Sequence, residues 1–318
     1  MGGALTVLDP GASTAVQDLG RPGHGGIGVS ASGAADRLSL RIGNRLVGNA
    51  DGEAGLEIAL TGAPAEAAVG AGGSWRALAM WRPIDVEAGA EIRVRSVGRA
   101  GRGCRTYLAV RGGIRVAPVL GSRSAHARTG VGPAPCRSGD VLPLGEAWRV
   151  GRACAADRGA LVELERWVFR RTLRATPHPH ADLLGEASLA RLAAVEWTVS
   201  PDSDRVGLRF VPPRHAPPHP PAPATGAGSL PTEAMAPGFI QAPPGGTPVL
   251  LGPDCAPTGG YPVLAGVISA DLDAAGQLRP GDRVRFEFVS VDEARAIWRE
   301  RAALLDRALP PVEGAARA

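Results

Sequence analysis

The chain has 318 residues, a formal net charge of +4 and a 44% hydrophobic fraction, with 44 Gly and 29 Pro against 4% aromatic residues; that is room for two ordinary domains of a turn-rich, mainly β protein. No run nears the ~18 apolar residues of a membrane span and no basic-then-apolar leader is present, so a cytoplasmic protein without membrane association is expected. All 35 basic residues are arginine, which rules out a Walker-type phosphate loop, a Schiff-base lysine and a biotinyl-lysine on this chain.

In chain order, Ala4 to Leu8 reads as a strand, and Gln17, Asp18 and Arg21 follow on a Gly-rich turn. Gly33 to Val47 is the first predicted helix, with Ser32 as a possible cap and Asp36 in its first turn. Strands are expected at Glu91 to Val97, Thr106 to Val110 and Val141 to Leu144, each short and bounded by Gly, Pro or Asp. The run Arg93, Arg95, Arg99, Arg102 and Arg105 is interleaved with few aromatics, so no nucleic acid is expected as a partner. Helical signal at Leu161 to Phe169 precedes a change in composition. A first domain over 1–150, a linker over 151–174 and a second domain over 175–318 are the resulting expectation. The second half then offers a helix at Gly185 to Ala194 and strands at Val195 to Val199 and Gly207 to Val211. Arg214 to Gly228, rich in Pro and Ala, reads as a loop. Strands at Thr247 to Leu251, Val263 to Ser269 and Arg283 to Val289 and an amphipathic helix at Asp292 to Leu309 complete the pattern. A Gly turn feeding straight into a strand recurs at Gly89, Gly139 and Gly281, as at barrel edges. Strands do not alternate with long helices, which disfavours a doubly wound sheet.

Three polar clusters stand against Gly-rich turns: Gln17-Asp18-Leu19-Gly20-Arg21, Ser203-Asp204-Arg205, and Pro257-Thr258-Gly259-Gly260-Tyr261-Pro262. Together they suggest one anion-friendly site assembled from loops. An arginine can fork onto a carboxylate or phosphate, and a Gly-Gly pair frees the backbone for positive φ and lets a ligand or another strand approach closely. The alternatives are local: an Asp18–Arg21 ion pair pinning its turn, Asp204 bonding its own backbone, and a rigid hairpin corner at the glycines. Ser122-Arg123-Ser124 after a glycine also suits an anion. Cys104, Cys136, Cys154 and Cys255 are scattered, and Cys255 reads as structural. His178, His180, His215 and His219 sit among prolines; a solvated loop is favoured over a metal, and no metal site is expected.

The strings TVLDPGASTAVQDLGRPGHGGIGV, SGAADRLSLRIGNRLVGN, LEIALTGA, YLAVRGGI, VLGSRS, SPDSDRVGLR, APGFIQAPPGGTPVLL, PTGGYPVLAGVISADL and LRPGDRVRF closely resemble one family, in order from about Ala4 to Val289. It is the biotin-dependent carboxyltransferase-like family that includes allophanate hydrolase subunit 2, the C subunit of prokaryotic 5-oxoprolinase and the carboxyltransferase halves of urea carboxylase. The resemblance implies two cyclophilin-like β-barrel domains in tandem with a few short helices, and a B subunit as partner, with a lactam-utilisation A subunit as a possible third. It implies the C subunit of a 5-oxoprolinase-like complex, which hydrolyses a cyclic amide with ATP bound with or by partner subunits. Two alternatives accompany it: a carboxyltransferase component using biotin carried elsewhere, and a regulatory protein that docks a kinase-inhibitor-like partner. The implied catalytic residues are Asp18, Arg21, Asp204 and Arg205; the implied substrate-binding residues are Gln17, Ser203, Gln241, Thr258, Gly259, Gly260 and Tyr261. Where the family usually reads Asp-Arg-Gln-Thr-Thr-Gly-Gly-Tyr-Pro, this chain has Asp254-Cys255-Ala256-Pro257-Thr258-Gly259-Gly260-Tyr261-Pro262, which removes a charge and two hydrogen-bonding side chains.

Overall fold

A computed structural model of the protein describes residues 3–59, 64–71, 74–96, 103–146, 156–213, 230–244 and 247–312. Two compact units are interleaved along the chain. The first comprises Met1–Gly20, Asp36–Leu164 and Leu304–Ala318, and the second Arg21–Ala35 and Glu165–Ala303. The segment 151–174, expected to be a linker with helical signal at Leu161 to Phe169, contains among its described residues helix α2 (Arg158–Val168) and the start of strand β9 (Thr172–Pro177). Apolar residues at Leu161, Leu164 and Val168 give α2 a buried face, which a free linker would not need.

In the first unit the strands form three small sheets. β1 (Ala4–Thr6) pairs with β8 (Val141–Pro143); β2 (Ser13–Gln17), β3 (Gly55–Ala59) and β7 (Arg105–Leu108) form the second sheet. β4 (Pro64–Ala71) lies between β5 (Ser74–Leu78) and β6 (Glu91–Ser96) in the third. Among the described residues these sheets do not close into a barrel. Val7, Val16, Leu56, Ile114 and Leu142 form a buried cluster here. Helix α1 (Arg37–Leu46) is shorter than the sequence suggests. Its cap is Asp36, not Ser32: Oδ1 accepts from Ser39 N–H at 2.8 Å and Oδ2 from Ser39 Oγ–H at 2.6 Å.

The second unit is built on a closed seven-stranded barrel in the order β10-β11-β14-β13-β16-β9-β17. The strands beyond β9 are β10 (Trp197–Val199), β11 (Gly207–Val211), β13 (Phe239–Gln241), β14 (Val249–Leu251), β16 (Val263–Val267) and β17 (Arg283–Phe288). All neighbours are antiparallel except β9 and β17. Closure removes the unpaired edges that strands this short would otherwise present. β17 alternates strictly, with Val284 and Phe286 buried and Arg283, Arg285 and Glu287 outside. Phe286 meets Phe210 edge to face at 5.4 Å, and Leu173, Trp197, Ile240, Leu250 and Leu264 complete the core. Trp197 satisfies its indole by donating to Leu192 O at 3.0 Å, which ties helix α4 (Glu186–Ala194) to the barrel wall. The short helices α3 (Ala181–Leu184) and α5 (Leu272–Gly276) lie in this unit, and α6 spans Val291–Ala308. The Pro-rich stretch Arg214 to Gly228 lies outside the described residues.

Candidate functional site

Of the residues singled out from sequence, Gln17 and Asp18 belong to the first unit and the other nine to the second. Asp18 follows β2 and is buried. Its Oδ1 accepts from Ser122 Oγ–H (2.7 Å), Ser124 Oγ–H (2.5 Å) and Gly20 N–H (2.7 Å), and its Oδ2 from Arg123 N–H (2.6 Å). Gly20 reaches back to Asp18 with φ at 90°, a conformation that favours glycine. Ser122-Arg123-Ser124, read as a possible anion site, thus wraps the chain's own carboxylate. Gln17 is 1% exposed and donates its amide to Ala125 O at 2.9 Å.

In the second unit Arg21 is buried, and its backbone N–H donates to Ala31 O at 2.7 Å. Arg205 forks onto Asp254, with Nε to Oδ2 at 2.7 Å and Nη2 to Oδ1 at 3.0 Å, and Nη2 also donates to Gly33 O at 2.7 Å. Asp254 additionally accepts from Ser32 Oγ–H at 2.8 Å, and Ser32 holds a φ of 54°. Ser30 Oγ–H donates to Cys255 O at 2.7 Å. Arg205 and Asp254 therefore clamp the 30–33 segment to the turn that precedes Thr258. Asp204 makes the local turn: Oδ1 accepts from Val206 N–H at 2.8 Å and Gly207 N–H at 3.0 Å. Ser203 Oγ accepts from Arg209 N–H at 3.0 Å. Burial first, then the Asp254 charge, pushes the Cys255 thiol up to about 11, so it stays protonated and is no nucleophile at neutral pH.

Within the stretch read as a Gly-rich turn, Thr258–Gly259 is a short strand, β15, paired with β12 (Glu233–Ala234). Neither Gly259 nor Gly260 has a positive φ. What Gly259 supplies is absence: a Cβ there would stand 3.1 Å from Met235 Cγ and 3.2 Å from Gln241 Nε2. Gln241 is thereby brought beside Gly259, with its amide on Met235 Sδ at 3.3 Å. Tyr261 is 44% exposed and Thr258 is exposed, so their hydroxyls are offered to solvent on the same loop. Sequence reading missed Glu233 and Met235 here: Glu233 opens a strand of two residues with no periodicity to reveal it, and Met235 directly follows that strand. It also set aside His178 and His180, whose proline-flanked spacing was the available signal; His180 Nε2 lies 3.2 Å from Glu233 Oε2.

Among the described residues no group of three His, Cys, Asp or Glu side chains is placed to hold a metal. This chain cannot itself carry a tethered biotin or form a lysine-bearing phosphate loop. There is no lysine in the sequence, Arg21 is buried and Arg205 is spent on Asp254.

A family model described as "Carboxyltransferase domain, subdomain A and B" matches residues 27–288. The C subunit of 5-oxoprolinase from Escherichia coli (strain K12) is 32% identical, over 91% of this chain and 93% of that protein. Urea amidolyase of Lachancea kluyveri is 31% identical, over 95% of this chain but only 18% of its own length. The crystal structure of the K. lactis urea amidolyase superposes with a TM-score of 0.80 at 30% identity, covering 96% of this chain and 20% of that one. The chain thus spans about a fifth of the urea amidolyases and nearly all of the 5-oxoprolinase component. With the family model matching most of the chain and a relative of this identity aligned almost end to end, the chain belongs to the family of the carboxyltransferase domain, subdomains A and B.

Proposed function

We propose that the chain is the C subunit of a 5-oxoprolinase-like complex that opens a cyclic amide at the expense of ATP, together with a B subunit and a lactam-utilisation A subunit. The observation that carries this reading is the near end-to-end match to the C subunit of a bacterial 5-oxoprolinase. Opening an unreactive lactam requires a polarised carbonyl and a stabilised oxyanion. The exposed Thr258 and Tyr261 hydroxyls, the Gln241 amide and the backbone of Gly259 and Gly260 supply neutral donors for that task. In this reading Asp18 and Gln17 hold the Ser122–Ser124 loop, while Arg21, Ser203, Asp204 and Arg205 shape the polar turns of the second unit. ATP is handled by the partners, since this chain has no lysine for a Walker-type phosphate loop. The three sheets of the first unit belong to a second cyclophilin-like barrel, in keeping with the resemblance of the whole sequence and with a division near residues 150–175. No described helix is long and apolar enough to cross a membrane, and the working location is the cytoplasm.

A second reading, carboxyl transfer from a carboxybiotin borne by another chain, is favoured by the fold match to urea amidolyase. The test is co-expression with the neighbouring B and A subunits, followed by ATP-dependent conversion of 5-oxoproline to glutamate. Turnover by the assembled complex is expected. A complex that assembles and carboxylates urea when a biotinylated carboxylase is added, without opening the lactam, would replace the first reading with the second. Assembly without either activity would favour a docking protein.

A further inference from the structure

The two histidines of Thr176-Pro177-His178-Pro179-His180 are not on a solvated loop, as their sequence context suggests. The His180 side chain is 16% exposed, and its Nε2 stands 3.2 Å from Glu233 Oε2. Its Nδ1 accepts a long hydrogen bond of 3.4 Å from Val263 N–H. An accepting Nδ1 must carry a lone pair, so the ring proton of the neutral imidazole lies on Nε2, the atom beside the carboxylate. His178 supports this placement: its Nδ1 accepts from His180 N–H at 3.2 Å, and its own N–H donates to Leu264 O at 3.0 Å. Its ring meets those of His180 and Phe239 edge to face at 4.5 and 5.3 Å.

The partners of His180 stand at the two ends of one segment. Glu233 is the register partner of Gly259, and Val263 is the first residue of β16, two positions after Tyr261. One imidazole therefore ties both ends of the loop that carries Thr258, Gly259, Gly260 and Tyr261. The β12–β15 ladder is two residues long and is flanked by Met235 N–H to Pro257 O at 2.8 Å and Leu230 N–H to Gly260 O at 2.7 Å, a short pairing that a side-chain tie can brace. We propose that His180, oriented by Glu233, is a positioning residue that sets the 258–262 loop for substrate. The role in turnover rests on the lactam-opening reading above; the clasp itself does not.

Two measurements on the same variants test it. Amide exchange at Gly259, Gly260 and Val263 in the isolated chain reads the clasp directly. KM and kcat of the assembled complex read its use. In His180→Gln, which keeps a donor for Glu233 and loses the acceptor for Val263, exchange at these amides is expected to rise about tenfold while that of barrel strands β10 and β11 holds. KM for the lactam is expected to rise about tenfold with kcat within about threefold, the size of one lost orienting hydrogen bond. His180→Asn, whose side-chain oxygen can replace Nδ1, should recover most of the protection at Val263. The half-exposed Glu233→Gln provides a variant that folds readily and should show the same KM effect in weaker form. Unchanged exchange at Gly259 to Val263 would overturn the clasp, whatever the complex does. Faster exchange with KM and kcat both unchanged would overturn the positioning role. Faster exchange in a complex whose unsubstituted form opens no lactam would leave the clasp standing and remove the function proposed above.

Discussion

Replacing Asp18 by asparagine would swap one carboxylate oxygen for an NH2 group and set it against an N–H or hydroxyl of the Ser122–Ser124 loop. Both oxygens of Asp18 now accept, Oδ1 three times over. Hydrogen bonds to a charged acceptor contribute more than neutral ones, and a buried donor without a partner costs its desolvation, so Asp18→Asn is expected to lower stability by about 2–4 kcal/mol. Urea unfolding of the purified chain checks this; a loss under about 0.5 kcal/mol, the range of ordinary surface changes, would mean the cluster is replaced by water. Residue type and the following Gly20 made a turn at Asp18 legible in the sequence. The partners were not legible, because Ser122 and Ser124 stand 104 and 106 positions away. Asp204 is the contrasting case. Its partners are two and three residues on, and the local turn weighed from sequence is the geometry found.

At the scale of elements, the strands read correctly are those with a β-branched run or an apolar alternation, such as β11 (Gly207–Val211), matched to the residue. Those overlooked include β12, β13 and β15, of two or three residues each, too short to show any period. At Thr258–Gly259 the sequence leaves a turn glycine and a close-approach glycine indistinguishable, and the structure uses Gly259 for close approach to Met235 and Gln241. The departure Cys255-Ala256-Pro257 acquires a meaning at this scale. Asp254 is retained and grips Arg205, while Cys255 is 3% exposed with its backbone carbonyl held by Ser30. The altered residues lie inside a braced turn whose bracing does not depend on their side chains. Arg205→Ala would leave the buried Asp254 carboxylate without its bidentate partner and free the Gly33 carbonyl. With the Arg205 side chain 21% exposed, water can repair part of this, and a loss of about 2–3 kcal/mol is expected, against the ~0–1 kcal/mol of a surface pair. Arg205→Ala unfolding at the urea midpoint of the parent chain would mean that this clamp is an ordinary surface pair.

For the molecule as a whole, the mainly β class follows from composition and strand signals, and the barrel of the second unit from the Gly-turn-to-strand phrases and the family resemblance. The interleaving did not follow. Nothing local in Arg21–Ala35 marks it as part of the second unit; the cause is a set of long-range bonds such as Ser32 N–H to Pro253 O at 3.0 Å. One further property belongs to the second unit entire. The pKa of His178 is lowered from the ordinary 6.5, chiefly by burial and next by His180, with Glu233 acting the other way. A depressed imidazole pKa means that the unfolded chain binds the proton before the folded chain does. The stability tied to neutral His178 is therefore fully present above about pH 6.5 and is lost as pH falls below it toward the folded-state value. Unfolding midpoints in urea should accordingly decrease between pH 7.5 and 5.5, a window chosen because ordinary carboxylates remain ionised there. His178→Gln removes the titrating ring while leaving an amide in its place, and should flatten that decrease even if it lowers the midpoint at pH 7.5. An equal slope in the parent and in His178→Gln would assign the acid sensitivity to other groups and show that burial of this ring is not what links the barrel's stability to pH.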